Sequence, residues 1–364
     1  MGDPSVPGLA AAWGALPHAH GPAPAQGRLR VLLSDFRVEE DLGVEPDGAG
    51  EHLWVRIRKT ERTTEEVARW LATALEVPKR AVSWAGLKDR NALTEQWFGV
   101  HMPGRQVAAT DWPEPPAGVA VLEWHRNSRK LRTGMLRGNH FRLVLRDLQG
   151  GGAALDQRLA TIARAGVPNY FGPQRFGRDG RNLEAAWRLL GGQRVRDRHQ
   201  RGLFISAARS FLFNRVLAER VQAGSWARPL PDDRMTFSTS ASLFPAADLR
   251  PGDPRCAIGT IHPTGPLPGR GPAAEADGDD PEARVLDQWP GIVAGLARLG
   301  VDQARRALRL SVAELAWHRG DAETLVLAFW LPAGAYATSV LRECVDVEEG
   351  AAPGQPERRE RSST

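Results

Sequence analysis

The hydrophobic and polar positions near the start of the chain predict β-strands. The segments "RLRVLLSDFRVEE", which begins at Arg28, and "HLWVRIRKT" alternate apolar and polar residues, as strands with one buried face do. The stretch between them, "DLGVEPDGAGE", is rich in turn-forming residues. Residues 81–85 and 140–148 are predicted as two further strands. The first part of the chain is therefore expected to form a sheet.

Helical spacing follows the second strand. Thr63 and Glu66 have the three-residue separation of a capping box, and apolar residues then recur every three or four positions. Gly166 is expected to close a helix that precedes it. The segment "TLVLAFWLPAGAYATSVLREC" predicts a strand, a turn and a helix near the end of the chain. Further helices are predicted over 155–165, 183–190, 205–223 and near 286–310.

This order of elements predicts an α+β fold in which a more helical section interrupts a sheet domain. The ends of the chain, rich in Ala, Gly, Pro and charge, are expected to be a flexible leader and a disordered tail. The Pro- and Gly-rich segment 263–283 is predicted to be a mobile loop. The predicted limits are 1–27 for the leader, 28–164 for the first part of the sheet domain, 165–311 for the inserted domain, 312–347 for the returning segment and 348–364 for the tail.

Composition adds an excess of arginine. The net charge is +5 and the pI is about 9.7. Only four lysines occur, at 59, 79, 88 and 130, so 44 of the 48 basic residues are arginine. Codon usage in a GC-rich genome explains such an excess as well as phosphate binding does, and composition does not separate the two. The two cysteines are far apart, which favours a reduced, cytoplasmic setting, and no stretch has the roughly 18 apolar residues of a membrane span.

The motifs exclude several kinds of chemistry. The nine histidines and two cysteines lack metal-ligand spacing, so no metal is expected. The glycine-containing segments match neither GxGxxG nor the P-loop, so no nucleotide cofactor is expected. No GxSxG elbow is present. Carboxylate chemistry and nucleic-acid binding remain.

Asp89 is the strongest candidate for chemistry. It follows a predicted strand in "VSWAGLKDRNALTEQWFGV" and stands between Lys88 and Arg90. An aspartate in a glycine-containing loop is commonly a turn or cap residue. The alternative is a carboxylate that adjacent cations keep ionised and that acts as a nucleophile.

Aromatic and amide residues raise similar alternatives. Phe36 is either a core residue or a ring that stacks on a nucleobase. Asn139, two residues before Phe141, either begins a strand or orients another polar group. The segment "NYFGPQRF" at 169–176 mixes aromatics with Arg175, which fits an RNA-facing loop and loop packing equally well.

Four segments together resemble the tRNA pseudouridine synthase D (TruD) family. They are "AGLKDRNALTEQW", "GVPNYFGPQRFGRDGRN", "ARSFLFNRVLAER" and "FWLPAGAYATSVLRE", and matching text runs in order from about residue 30 to residue 345. The resemblance implies isomerisation of uridine to pseudouridine in tRNA, at position thirteen of the D-arm, without a cofactor. It also implies the mixed antiparallel sheet of pseudouridine synthases flanked by helices, with an inserted, mostly helical α/β domain (the TRUD domain). The sheet domain would then be catalytic.

The resemblance also implies roles for particular residues. Asp89 would be the nucleophile, acting either by addition to C1′ of the ribose or by removal of a sugar proton to form a glycal. Arg30 would pair with this aspartate, although Lys88 and Arg90 are competing partners. The residues implied to contact the substrate are Phe36, Asn139, Phe141 and Tyr336.

Two positions depart from the family pattern. Asn91 stands where relatives often have histidine, and Tyr336 stands where phenylalanine is common. Since the ring is retained at Tyr336, replacement by phenylalanine is expected to be nearly silent.

Two other classes of function share some of these features. A non-catalytic RNA-binding or chaperone protein would share the charge and the aromatic loop but would tolerate loss of Asp89. A metal-dependent phosphodiesterase would need clustered carboxylates, yet no acidic residue follows Asp89 before Glu95. The expected partner is tRNA, through a D-arm uridine, and the expected state is a monomer.

Overall fold

The computed structural model describes residues 10–108, 112–240, 242–271, 280–321 and 323–350. Internal contacts divide the chain into two compact units. The sheet unit comprises the described residues of Ala25–Gly152 and Ala313–Gly334 and those from Val345 to residue 350. The helical unit comprises Ala153–Val312, Ala335–Cys344 and the described residues up to Pro24. These limits differ from the predicted domain boundaries, because residues 153–164 and the segment that contains Tyr336 group with the helical unit.

The described part of the sheet unit is built from strands, one α-helix and two short 3-10 helices, apart from the first residue of a helix that continues in the other unit. The helix is α1, Thr64–Ala74. The strands are β1 Ala25–Leu29, β2 Phe36–Asp41, β3 His52–Lys59, β4 Val82–Trp84, β5 Leu93–His101, β6 Val119–Asn127 and β7 Gly138–Gly150, followed late in the chain by β14 Ala313–Asp321, β15 Thr324–Pro332 and β16 Val345–Glu349.

These strands form one mixed sheet of ten strands within the described residues. The main path runs β14-β15-β7-β2-β5-β3-β6, with β1 paired to β7 and β16, and β4 paired to β5. The β2–β5 and β1–β16 pairs are parallel, and the other pairs are antiparallel. The predicted α+β fold with a mixed, largely antiparallel sheet is confirmed.

The stretch predicted as a single strand over 28–40 forms two strands. β1 ends at Leu29, and Arg30 adopts a left-handed conformation with φ 60°. Asp35 then closes a short 3-10 turn, because its carboxylate accepts a hydrogen bond of 2.7 Å from the Leu32 amide. The same buried carboxylate pairs with Arg146 at 2.8 Å. Alternation of polar and apolar residues did not reveal this turn, since it depends on a side chain far along the sequence.

Helix α1 begins as predicted. The Thr63 hydroxyl accepts from the Glu66 amide, and the Glu66 carboxylate accepts from the Thr63 amide, at 3.2 and 2.6 Å. Val67 and Leu71, one turn apart, are fully buried against β3 and β5 residues. The reciprocal cap and the buried apolar stripe together determine this helix.

The helical unit carries the other helices of the described residues and six short strands. Its helices are α2 Gly152–Ala165, whose first residue still belongs to the sheet unit, α3 Arg181–Leu190, α4 Arg198–Gln222, α5 Pro254–Ala257, α6 Pro281–Leu286, α7 Pro290–Arg298 and α8 Ala337–Cys344. Its strands are β8 Val167–Pro168, β9 Arg234–Phe237, β10 Leu243–Pro245, β11 Ile261–Leu267, β12 Ala304–Ala307 and β13 Arg309–Leu310.

Helix α4 runs through the core of this unit. Buried residues such as Phe211, Phe213 and Leu217 line it, as the predicted helix over 205–223 requires. It begins seven residues earlier than predicted, because Asp197 caps it by accepting from the Gln200 amide at 2.8 Å. The extra turns are largely exposed, so they lack the regularly spaced hydrophobic residues from which a helix is predicted. None of the helices in the described ranges is long and apolar enough to cross a membrane.

The prediction of a flexible leader is wrong for residues 10–27. Ala12 and Leu16 are buried in the core of the helical unit. The Asn214 amide donates to the Ala12 carbonyl, and Tyr170 donates its hydroxyl to the Pro17 carbonyl. Residues 25–27 already belong to β1. Small apolar side chains and prolines resemble a linker in composition, but here they pack and their carbonyls are bonded. Residues 1–9 lie outside the described part of the chain.

Three other local predictions need correction. Residues 261–267 form β11, which pairs with β9 and β12, and are not the start of a mobile loop, while 272–279 are not described. The helix predicted through 310 ends at Arg298, because Gly300 turns left-handed with φ 72° and strands follow. The predicted tail begins later than 348, since β16 continues to Glu349 beside β1. Residues 351–364 lie outside the described chain.

Candidate active site

The loop that carries Asp89 leaves β4 and is held from several sides. The Thr64 hydroxyl, at the start of α1, accepts from the Lys88 amide at 3.1 Å and donates to Gln96. The Gln96 amide group in turn donates to the Gly86 carbonyl at 2.9 Å. These bonds join the loop to α1 and β5, so the position of Asp89 is fixed by regular structure.

Lys59, at the end of β3, binds backbone carbonyls of the same loop and of the residues that follow β3. Its side chain is 1% exposed, and its ammonium donates to the carbonyls of Asp89 at 2.8 Å and Arg62 at 2.9 Å. Burial lowers the pKa of Lys59 to about 8, although the nearby charge of Asp89 opposes this shift. Lys59 therefore supports the backbone of Asp89 and leaves its carboxylate free to face outward.

The Asp89 carboxylate is 58% exposed and accepts a hydrogen bond of 2.8 Å from Arg30 Nη2. The two competing candidates bond elsewhere: Lys88 pairs with Glu40, and Arg90 donates to the Glu61 carbonyl. The second nitrogen of Arg30, Nη1, pairs with Glu349 of β16 at 2.8 Å. Arg30 therefore bridges Asp89 to the sheet.

Arg30 packs on the first of three aromatic rings that form a row. Its guanidinium lies 4.2 Å from the centre of the Phe36 ring. Phe36 meets Phe141 edge to face at 6.2 Å, and Phe141 stacks on Phe329 at 5.4 Å. Phe36 and Phe141 are both buried. Neighbouring strands β2, β7 and β15 supply the three rings, so the sheet register determines this row.

Asn139 is buried at the start of β7 and reaches the same loop through Lys88. Its Oδ1 atom accepts from Lys88 Nζ at 2.8 Å. Lys88 also forms an ion pair of 2.8 Å with Glu40 of β2. The sequence interpretation did not include Glu40 or Lys59. The signal that could have found Lys59 is the scarcity of lysine in this chain.

Five of the six predicted site residues thus lie in the sheet unit: Arg30, Phe36, Asp89, Asn139 and Phe141. Tyr336 belongs to the helical unit, where its hydroxyl accepts from Arg175 Nε at 2.9 Å and Nη2 at 2.6 Å. Its ring meets Phe171 edge to face at 5.9 Å. Of the two alternatives for the segment that contains Arg175, the side chain thus makes a packing contact, because it holds this tyrosine.

Tyr336→Phe is consequently expected to destabilise the protein, contrary to the silent replacement expected from sequence. The change removes the acceptor of two hydrogen bonds from a charged group, and each such bond contributes ~1.5–3 kcal/mol. We expect a loss of about 2 kcal/mol in the free energy of unfolding. Urea unfolding measures it, with Tyr170→Phe as the comparison, because the Tyr170 hydroxyl makes one longer bond of 3.3 Å. Equal stability of Tyr336→Phe and the wild type would contradict this interpretation.

Lys59 makes stability depend on pH. The pKa is about 8 in the folded chain and 10.5 in the reference state, so between these values only the unfolded chain binds the proton. The contribution of Lys59 to the free energy of unfolding therefore rises with pH across this window and is lost as the pH falls through 8. Relative to Lys59→Met, the wild type should gain up to about 3 kcal/mol between about pH 7 and about pH 10.

Urea unfolding of both proteins across that pH range measures the difference. Lys79→Met is the matched control, because Lys79 is exposed. A wild-type advantage over Lys59→Met that stays constant with pH would show that the buried ammonium does not titrate in this window.

The donor set around Asp89 does not suit a metal ion. The carboxylate is bonded to the cation of Arg30, and the ammonium of Lys59 is bonded to the backbone carbonyl of the same residue; both charges repel a further cation. Within the described ranges, no group of three or more His, Cys, Asp or Glu residues is placed to hold a metal. An exposed carboxylate fixed by a guanidinium, beside aromatic rings, is instead suited to attack an electrophilic carbon or remove a proton.

Comparison with known proteins identifies the family. Residues 14–183 and 189–344 match the family model described as tRNA pseudouridine synthase D (TruD). The tRNA pseudouridine synthase D of Methylococcus capsulatus is 46% identical over 351 residues, covering 95% of this chain and 98% of that protein. The protein of the same name from Aeromonas salmonicida is 46% identical over 337 residues, covering 92% and 95%.

A solved structure agrees in fold. The crystal structure named for the tRNA pseudouridine synthase D (TruD) of Methanosarcina mazei superposes with a TM-score of 0.68 over 94% of this chain and 98% of that chain. Its identity of 21% makes this a likeness of fold alone. The resemblance based on four sequence segments is confirmed, since the family model and the relatives span nearly all of the described residues. The chain belongs to the tRNA pseudouridine synthase D (TruD) family.

Proposed function

We propose that this chain converts a uridine at position thirteen of the tRNA D-arm to pseudouridine, with Asp89 as the nucleophile. Members of the family are tRNA pseudouridine synthases, and the chain is an isomerase of this class. The observation that carries the choice of Asp89 is its geometry. Its carboxylate is exposed and bonded to Arg30, while the backbone of its loop is fixed by Lys59 and Thr64.

The reaction needs no external atoms. The N1–C1′ bond of uridine breaks, the uracil turns, and C5 joins C1′; C5 loses a proton and N1 ends with one. Asp89 would act either by adding to C1′ or by removing a sugar proton to give a glycal. Both routes begin with the carboxylate of Asp89, which accepts a hydrogen bond from the guanidinium of Arg30. Arg30 would also keep the carboxylate oriented while the base turns.

The target uridine must first leave its stack, at a cost of a few kcal/mol. Phe36 and Phe141 are proposed to line the pocket that receives it. Arg30 already covers one face of Phe36, and Phe329 covers one face of Phe141, so only their edges or remaining faces are available to the base. Asn139 is proposed as a polar contact to the substrate. Tyr336 is also proposed to contact the substrate, and its position in the family motif is the sole support for this role.

Tritium release tests the proposed function. A tRNA transcript labelled with [5-³H]uridine loses the label when C5 bonds to C1′, so the purified chain should release one tritium per tRNA. A transcript with cytidine in place of the uridine at position thirteen should release none. Release should persist when prefolded tRNA and chelator-treated protein are used, which separates this function from a metal-dependent nuclease. Binding without any release would favour the second candidate, a non-catalytic tRNA-binding or chaperone protein.

Phosphate contacts are proposed for the segment between α3 and α4. Arg194, Arg196 and Arg198 are exposed there, and no ion pair to an acidic residue involves them in the described part of the chain. The neighbouring Asp197 is engaged in capping α4. Arg178 is likewise exposed, whereas Arg175 is bonded to Tyr336 and is a poor choice for a charge-removal variant.

Replacing Arg194, Arg196 and Arg198 by glutamine should weaken tRNA binding and reduce the dependence of the affinity on salt concentration. Each phosphate contact contributes about 0.7–0.9 to the log–log slope of affinity against salt, so the slope should fall by about 2. The value of kcat should not change. Arg28, Arg255 and Arg270 form the matched control triple, because each is exposed but paired with an aspartate. Equal slopes for both triple variants would show that the arginine excess reflects composition alone.

The state and location of the protein are also proposals. A monomer acting in the cytoplasm fits a tRNA substrate and two free cysteines, Cys256 and Cys344. Light scattering during gel filtration measures the mass, which should match the 39.7 kDa of one chain.

A further inference from the structure

The four lysines of this chain differ in how far their side chains are buried. Lys79 and Lys130 are exposed, whereas Lys59 and Lys88 are buried beside the Asp89 loop. Since 44 of 48 basic residues are arginine, lysine is the exception here. A buried lysine therefore marks a place where a compact ammonium with three donors is needed and a planar guanidinium does not fit.

Lys88 is held between two buried polar groups. Its side chain is 6% exposed, and its Nζ lies 2.8 Å from Glu40 Oε1 and 2.8 Å from Asn139 Oδ1. The Glu40 side chain is fully buried, and its other oxygen accepts from the Trp97 amide at 2.8 Å. The carboxylate is thus fixed to β5, and the ammonium is fixed to the carboxylate.

This arrangement determines which way the Asn139 amide faces. An ammonium can only donate, so the amide atom facing Lys88 must be the oxygen. The NH₂ group then points away from Lys88. Among the described residues, the hydrogen bond of the Asn139 side chain is the one that its oxygen accepts from Lys88. The two N–H donors of Asn139 are therefore available to a bound molecule.

We propose that Glu40 and Lys88 are positioning residues that hold Asn139 with its NH₂ group directed at an acceptor oxygen of the substrate nucleotide. The inference rests on the proposed function, which makes Asn139 a substrate contact. Lys88 also directly precedes Asp89 in the chain. The same residue therefore orients the Asn139 amide and belongs to the loop that carries the nucleophile. A change at Lys88 then misplaces the substrate relative to Asp89 and lowers kcat more than it changes KM.

A double-mutant cycle tests the proposal. Glu40→Gln with Lys88→Met removes both charges together, so neither is left buried and unpaired. In the wild-type background this pair of changes should lower kcat for tritium release at least about tenfold. In an Asn139→Ala background the same pair should lower kcat less than about twofold, because the residue through which they act is gone.

Asn139→Asp supplies a second measurement that leaves Glu40 and Lys88 in the chain. It keeps an oxygen for the Lys88 ammonium and removes both N–H donors, so kcat per folded molecule should fall as far as in Asn139→Ala, with thermal unfolding confirming that the variant is folded. The control is Arg220→Met with Asp233→Asn, a buried ion pair of 2.7 Å whose bonds lie within the helical unit. This control should leave kcat unchanged.

Three outcomes would overturn the proposal: wild-type kcat in the folded Glu40 and Lys88 variant, wild-type kcat in Asn139→Asp, or losses that multiply fully in the Asn139→Ala background. The failure of the proposed function is distinguishable, because the wild-type chain itself would then release no tritium.

Discussion

Asp89→Asn is expected to abolish tritium release while leaving tRNA binding intact. The amide cannot add to C1′ or remove a sugar proton, so kcat should fall by at least about 10³-fold. The fold should be unaffected, because the carboxylate is exposed and its pair with Arg30 contributes at most about 1 kcal/mol. Tritium release measures turnover, filter binding measures affinity, and thermal unfolding confirms the folded state.

Asp89→Glu distinguishes a positioned nucleophile from a mere negative charge. The extra methylene moves the carboxylate by about 1 Å, which can lower the rate roughly 10²-fold. Near wild-type turnover in either variant would remove Asp89 from the nucleophile role. Asp35→Asn is not a suitable control, since that carboxylate is buried against Arg146.

Phe36→Ala is expected to reduce both stability and turnover. The family resemblance implies that Phe36 contacts the substrate, and such a ring need not support the core. In the structure Phe36 is 6% exposed and packs between Arg30 and Phe141. Removing a buried phenylalanine costs ~3–5 kcal/mol of stability. The loss of the ring also frees Arg30, and with it Asp89, so turnover per folded molecule should fall at least about tenfold.

Phe36→Leu separates packing from ring chemistry. Leucine fills much of the space, so the loss of stability should stay below about 1.5 kcal/mol. It offers no aromatic face to Arg30 or to a base, so turnover should still fall, because stacking contributes ~1–3 kcal/mol per base. Urea unfolding and tritium-release kinetics on the same preparations measure both effects. If Phe36→Leu turns over like the wild type, Phe36 is a core residue and its proposed contact with the substrate is wrong.

The predictable parts of the fold are those whose cause is local. The capping box at Thr63, the apolar stripe that follows it and the alternation in β3 are written in adjacent residues, and the structure has these elements where the sequence places them. The turn before Phe36 was missed because it requires Asp35 to bond Leu32 and Arg146. Only the first of these partners is near in sequence.

In the site, too, the partners of the side chains could not be predicted from neighbouring residues in the sequence. Lys88 and Arg90 flank Asp89 in sequence, but their side chains leave the loop in other directions, toward Glu40 and the Glu61 carbonyl. The ion pair comes from Arg30, 59 residues earlier, because β1 ends beside the loop. The family resemblance named Arg30 as a candidate, whereas charge and spacing alone favoured the neighbours. The role of Arg175 beside Tyr336 likewise depends on a contact 161 residues apart.

The uneven burial of the four lysines has a practical consequence for labelling. Among the lysines, an amine-reactive dye reaches Lys79 and Lys130 but not the enclosed ammonium groups of Lys59 and Lys88. Below pH 8 the ammonium of Lys59 is also protonated and cannot act as an amine nucleophile. Fluorophores or surface tethers can therefore be attached to the sheet unit at two known points without modifying the groups that hold Asp89.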